Sequence, residues 1–309
     1  MRKTILLSLV ALGLLGAGMA QAAPGDRLRE RLAARKAGQQ TDANVPRAAR
    51  PQTLSYGSDP LQQLDIYKAQ GVKGKAPLVL FVHGGGWKRG NKDVAASRYA
   101  PAHYTGLGYA YASINYRLVP DHTVEDQARD VAHALKALLD RADALGIDRN
   151  RVVITGHSAG AHLVALVGTD EQYLRSAGLS FADIDGVLPN DGAAYDVPAQ
   201  MKQSGKFMMK TYEQAFGTDP ARQRALSPTL HARAPNAPAF LLIHVQRKDG
   251  VAQAKELEAA LRRAGTTVER RDFPGEGLQG HAEINRQLGN PDYAATPVVD
   301  AWLKQVFGR

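Results

Sequence analysis

The sequence predicts an α/β fold: one mostly parallel central sheet with helices on both faces. Two observations carry this. Residues 78–82 are a short, continuous apolar run and 240–245 an apolar run broken by His244, as expected for strands covered on both sides. Between such runs stand segments with apolar residues at helical spacing, so strands and helices alternate along the chain.

Taken in order, residues 64–67 alternate like a half-buried strand, 78–82 form the first buried strand, and 109–118 read as a third. Residues 124–145 are helical, with Ala128, Val131, Ala132, Leu135, Leu138 and Leu139 on one face and Gly146 at the stop. Strand 151–155 is followed by a helix of small residues, 159–167. Residues 187–188 and 240–245 are further buried strands, 251–264 a helix, 267–273 a strand and 293–307 the last helix. Residues 195–236 carry Met201, Met208 and Met209 and then Pro220, Pro228 and Pro235. They read either as a small cap over a site or as an irregular surface insertion. No repeat or second domain interrupts 55–309, and one domain of this size can bury a large core.

The first residues predict export. Arg2 and Lys3 precede an apolar run over 5–19, and Ala20-Gln21-Ala22 fits a small-x-small cleavage pattern. The run is shorter than the ~20 residues a membrane span needs. Residues 1–22 are therefore expected to be a signal peptide, leaving a periplasmic or secreted protein with no integral span. Residues 23–54 read as a basic linker, with Arg27, Arg29, Arg31, Arg35, Lys36, Arg47 and Arg50. A solvated tail is the plain interpretation, and weak contact with anionic surfaces the functional one. No recognition motif accompanies the net charge of +9, so nucleic acid is not an expected partner. The chain has no cysteine, which excludes disulfides, a thiol nucleophile and a Cys-based metal site.

The strongest chemical signal is Gly156-His157-Ser158-Ala159-Gly160, between a predicted strand and a predicted helix. That context suits a nucleophile elbow, a sharp turn that lifts the serine oxygen clear of the sheet, with glycines letting strand and helix approach. The second is His83-Gly84-Gly85-Gly86-Trp87, directly after strand 78–82. Backbone N–H groups there can face a cavity and hold a developing oxyanion. Gly85, Gly86 and Ala159 are the expected donors, with Gly84 as an alternative to Gly86. Trp87 and His157 are expected to line a substrate pocket, and His83 to be structural.

A serine nucleophile needs a base, and in chain order serine, acid, histidine the candidates are His162, His231, His244 and His281. His281 is preferred, from a Gly-rich stretch after the last strand that can reach back to Ser158. The acid that orients it is expected just after strand 240–245, where Asp249 stands. Glu276, Asp191 and Asp196 are the reserves. No metal site or dinucleotide fingerprint is read, so no cofactor is expected.

These motifs resemble the α/β-hydrolase superfamily, and most of all its esterases with an HGGGW-type loop, in the feruloyl/acetyl-esterase-like and hormone-sensitive-lipase-like branch. Residues 113–118 (Ser-Ile-Asn-Tyr-Arg-Leu) and 281–285 (His-Ala-Glu-Ile-Asn) are similar to the same branch, which also includes formamidases. The resemblance covers nearly all of 55–309 and implies an α/β-hydrolase fold and a Ser158, Asp249, His281 triad. It also implies hydrolysis of a small ester through an acyl enzyme. Amide or formamide hydrolysis, or noncatalytic binding on the same fold, are the alternatives. One departure stands out: Val245 occupies the place where the branch has glycine, and Asp249 comes one residue late.

Overall fold

A computed structural model describes residues 45, 47–93 and 97–308. The expected signal peptide and most of the basic linker lie outside the described residues.

Eight strands form one sheet in the order β1-β2-β4-β3-β5-β6-β7-β8. They are β1 (Gln52–Ser55), β2 (Gln63–Tyr67), β3 (Ala76–Val82), β4 (Ala110–Ile114), β5 (Ile147–His157), β6 (Gly186–Asn190), β7 (Ala239–Gln246) and β8 (Thr267–Glu276). β1 and β2 pair antiparallel at one edge, and β4 through β8 run parallel. The last residues of the expected linker are thus the edge strand β1.

The period of two sorts the core. Leu78, Leu80 and Val82 of β3 face one apolar layer, with α2 (Val124–Asp140) and α4 (Ala159–Thr169). Val79 and Phe81 face the other, with α1 (Ala100–Gly106) and α12 (Ala295–Phe307). This two-sided covering is why the strands read as continuous apolar runs.

Boundaries moved where local chemistry intervened. Strand 109–118 ends at Ile114, because Asn115, Tyr116 and Arg117 turn their polar groups to specific partners. The helix over 124–145 is two helices, α2 and α3 (Ala142–Leu145), broken at Arg141. Thr123 and Asp126 form a reciprocal capping box at the start of α2, and Gly146 closes α3 in the left-handed region. After α5 (Gln172–Ser176), residues 197–231 form four short helices: α6 (Val197–Gln203), α7 (Lys206–Phe216), α8 (Pro220–Ala225) and α9 (Pro228–His231). Proline at the first or second position of α6, α8 and α9 explains why a proline-rich stretch is helical after all. α10 (Lys248–Arg263) follows β7 and α11 (Gly277–Arg286) follows β8.

Candidate active site

The site lies at the carboxyl ends of the parallel strands, the edge where α/β sheets place their chemistry. β5 ends in the elbow. Ser158 has φ 57° and ψ −116°, and its N–H donates to the Asn190 carbonyl at 3.1 Å. The glycines are sterically required. A Cβ on Gly156 would lie 2.4 Å from the Gly160 oxygen, and one on Gly160 would lie 2.1 Å from the Val82 oxygen. Strand, turn and helix are therefore in backbone contact.

Ser158 Oγ is 3.0 Å from His281 Nε2, and His281 Nδ1 is 2.5 Å from Asp191 Oδ2. His281 is not on a loop, as expected, but on α11. Gly275 and Gly280 let that helix abut the end of β8: a Cβ on Gly280 would sit 2.6 Å from the Gly275 carbonyl carbon.

The carboxylate against His281 is Asp191, at the end of β6, and this corrects the expectation of Asp249. Asp249 lies in the first turn of α10 and accepts a hydrogen bond from Gln200 Nε2 at 3.3 Å. It touches no triad atom, and Arg247 Nη1 is 3.9 Å from it. Asp191 is fully buried and tightly held. Oδ1 accepts from the Val245 N–H at 3.2 Å, and its own N–H donates to the Ile243 carbonyl at 2.7 Å. Arg247 Nε forms an ion pair with Oδ2 at 3.1 Å. Burial pushes the Asp191 carboxyl upward, but the His281 hydrogen bond and the Arg247 charge outweigh it and hold the pKa below the usual value. Glu276 and Asp196, the other reserves, do not contact His281 either: Asp196 caps α6 and Glu276 precedes α11.

The other histidines near the site or considered as its base have structural partners. His157 Nε2–H donates to the His281 carbonyl at 2.9 Å, and the two rings lie 4.4 Å apart. Burial, and then the neighbouring His281 charge, push its pKa down to about 3, so His157 stays neutral. It lines the cavity but also props His281. His83 stacks on Tyr116, whose hydroxyl donates to the His83 carbonyl at 2.9 Å, and burial lowers its pKa to about 4. His162 donates to the Leu226 carbonyl and accepts the Trp87 indole N–H at 3.3 Å. His244, inside β7, accepts from Arg270 at 2.9 Å. His231 donates to the Ala225 carbonyl.

Gly85, Gly86 and Ala159 line the same cavity as Ser158, of about 1570 Å³. Gly85 has φ 124° and Gly86 φ 62°, conformations that glycine adopts without the clash a Cβ would bring. Asn115 Oδ1 accepts the Lys92 N–H at 2.6 Å, tying the turn that follows the glycine segment to the end of β4. Trp87 is buried, lines the cavity and packs against Phe216 of α7 at 4.7 Å. Among the described residues, the non-glycine residues at positive φ are Trp87, Ser158, Asp191 and Ala194. All four belong to or border the site, each storing on the order of 1–3 kcal/mol of backbone strain. No cluster of His, Cys, Asp or Glu suited to a metal occurs among the described residues.

Residues 64–261 match the family described as BD-FAE, a span that takes in the elbow, Asp191 and Asp249. The chain belongs to the BD-FAE family. This BD-FAE chain is 31% identical over 236 residues to Esterase LipC of Mycobacterium tuberculosis, covering 72% of this chain and 58% of that protein. It is 32% identical over 114 residues to the kynurenine formamidase of Drosophila melanogaster, covering 37% of this chain and 36% of that protein. The matches thus span between about a third and three fifths of those relatives. Esterase B from Lactobacillus rhamnosis superposes with a TM-score of 0.71 at 23% identity, over 92% of both chains. That likeness establishes the fold that the BD-FAE chain shares with it, the α/β-hydrolase fold.

Proposed function

We propose that this chain is a serine carboxylic-ester hydrolase with Ser158, His281 and Asp191 as its triad. The supporting observation is the continuous line from Ser158 Oγ to His281 Nε2 (3.0 Å) and from His281 Nδ1 to buried Asp191 (2.5 Å). His281 takes the serine proton as Oγ attacks the ester carbonyl. Asp191 fixes the tautomer and stabilises the imidazolium that forms. The carbonyl oxygen becomes an oxyanion held by the N–H groups of Gly85, Gly86 and Ala159. His281 returns the proton to the leaving alcohol. Water then attacks the acyl enzyme by the same route, releasing the acid and restoring Ser158.

Family membership and the named esterase relative favour an ester over other acyl compounds. Formamide or amide hydrolysis is the second reading, favoured by the similarity to a formamidase. A noncatalytic role leaves the strain at Ser158 without a purpose. The test is hydrolysis of 4-nitrophenyl acetate, butyrate and hexanoate by the wild type and by Ser158→Ala, with a fluorophosphonate probe alongside. Turnover and labelling lost together in the variant support the serine esterase. Labelling without ester turnover directs attention to amides, and neither activity sinks the enzyme reading.

Export belongs to the same proposal: cleavage after Ala22 yields a mature chain starting at Ala23, which N-terminal sequencing of the secreted protein tests. The basic stretch 27–50 is proposed to hold the protein weakly on anionic surfaces, tested by sedimentation with phosphatidylglycerol vesicles.

A further inference from the structure

The walls of the active-site cavity carry a charge that the triad does not use. Seven of the lining side chains are Lys or Arg, and Asp249 and Glu276 are the acidic ones. Two of the cations are already committed: Arg247 to Asp191 and Arg286 to Glu283. The remaining five, Lys88, Arg89, Lys206, Lys210 and Lys248, face the cavity with no carboxylate in salt-bridge range among the described residues. They come from three elements around the opening: the turn after β3, α7, and the start of α10.

Their placement costs the fold something. Lys206 and Lys210 are like charges at i, i+4 of α7, a destabilising pair. Lys206 is also the first residue of α7, and Lys248 the first of α10, where the helix dipole disfavours a cation. Three elements bring cations to one opening, two of them at locally unfavourable positions, and this calls for a reason in the cavity. A one-signed, low-dielectric cleft concentrates ligands of the opposite sign. The inner wall is apolar, with Trp87, Tyr212 and Met208. The occupant that fits has an apolar part near the serine and a negative group at the rim.

We infer that the natural substrate is an ester carrying a carboxylate, bound by the rim formed by Lys88, Arg89, Lys206, Lys210 and Lys248. This rests on the ester-hydrolase reading and deepens it by naming the substrate class. Ser158 chemistry is unchanged; the rim binds the spectator carboxylate.

The test compares matched substrates within one protein. Mono-4-nitrophenyl adipate is set against 4-nitrophenyl hexanoate, placing the charge on the acyl side. The 3-butyryloxy-4-nitrobenzoate ester is set against 2-nitrophenyl butyrate, placing it on the leaving group. Each rate is normalised to spontaneous hydrolysis. Because exposed pairs are individually weak but act together here, a preference of about tenfold in kcat/KM is expected for at least one anionic member at low salt. It should decay as salt rises to about 0.5 M. In Lys206→Gln/Lys210→Gln/Lys248→Gln the anionic-to-neutral ratio should fall toward one. A ratio taken on one preparation does not depend on how much of the variant is folded. Ratios at or below one for both pairs overturn the inference, as does a preference that survives both salt and the triple substitution. If no ester of either kind is hydrolysed, the ester-hydrolase reading itself fails and the inference falls with it.

Discussion

Replacing Asp191 by Asn tests the triad as the structure draws it. The side chain keeps its size and its contact with His281, but the charge is lost and the amide can present a donor to Nδ1. The imidazole then holds its proton on the wrong nitrogen, and the imidazolium loses its counter-ion. In serine triads this substitution costs about 10⁴ in kcat. Here the cost should be somewhat smaller. Asp191 shares its charge with Arg247, whose Nε is 3.1 Å from Oδ2, so His281 receives only part of that stabilisation. A fall of about 10³–10⁴ is expected, or roughly 4–5.5 kcal/mol of barrier at 1.36 kcal/mol per decade. Asp249→Asn should leave kcat for a neutral ester within about threefold, because its contacts are Gln200 and a distant Arg247. The assay is steady-state hydrolysis of 4-nitrophenyl butyrate, with the melting temperature of each variant measured alongside. If Asp249→Asn loses as much turnover as Asp191→Asn, the assignment to β6 is wrong.

Acid should weaken the fold through buried histidines. His83 and His162 are held near pKa 4 and His157 near 3, all below the ordinary 6.5. The unfolded chain therefore binds more protons below pH 6.5, and stability drains as pH falls from about 6.5 toward 3–4. At pH 5.5 the three together should cost roughly 4 kcal/mol, read as a lower denaturation midpoint than at pH 7.5. Asp191 acts in the same direction but lower on the scale: its lowered pKa adds stability above the usual carboxylate range that is lost on further acidification. Gly160→Ala should lower the melting temperature by on the order of 10 °C or prevent folding, since its Cβ meets the Val82 oxygen at 2.1 Å; a soluble variant melting like the wild type would contradict the packing described. Arg247→Gln removes the cation beside Asp191 and should move the acid limb of the kcat/KM profile to higher pH, and an unmoved limb would argue that the ion pair is inert.

Much of this was legible in the sequence because it is written in local patterns. The strand runs, the elbow and the glycine segment after β3 each depend on neighbours within a few residues. Residues 115–117, read as the end of a strand, instead brace their neighbours: Tyr116 donates to the His83 carbonyl, and Arg117 forms an ion pair with buried Asp130. The acid was harder. Two Asp-Gly pairs follow buried strands, Asp191-Gly192 and Asp249-Gly250, and strand ends alone do not say which faces His281. The signal that favoured Asp191 was the irregularity after His244, where a missing glycine and a late acid mark a segment not shaped for that task. His281 stands beside Ser158, but the helix around it was not legible, because the three glycines of 275–280 read as a loop until the contact between Gly275 and Gly280 is known.

The carboxylate on β6 changes what is free to vary. In the proposed triad the strand beside Ser158 supplies the charge, so the first turn of α10 is released from proton chemistry. Lys248 and Asp249 can be exchanged to refit the opening for a new substrate while the reacting groups stay as they are. In laboratory evolution, residues 248 and 249 are then the place to diversify for selectivity, and residues 190–192 the place to leave alone.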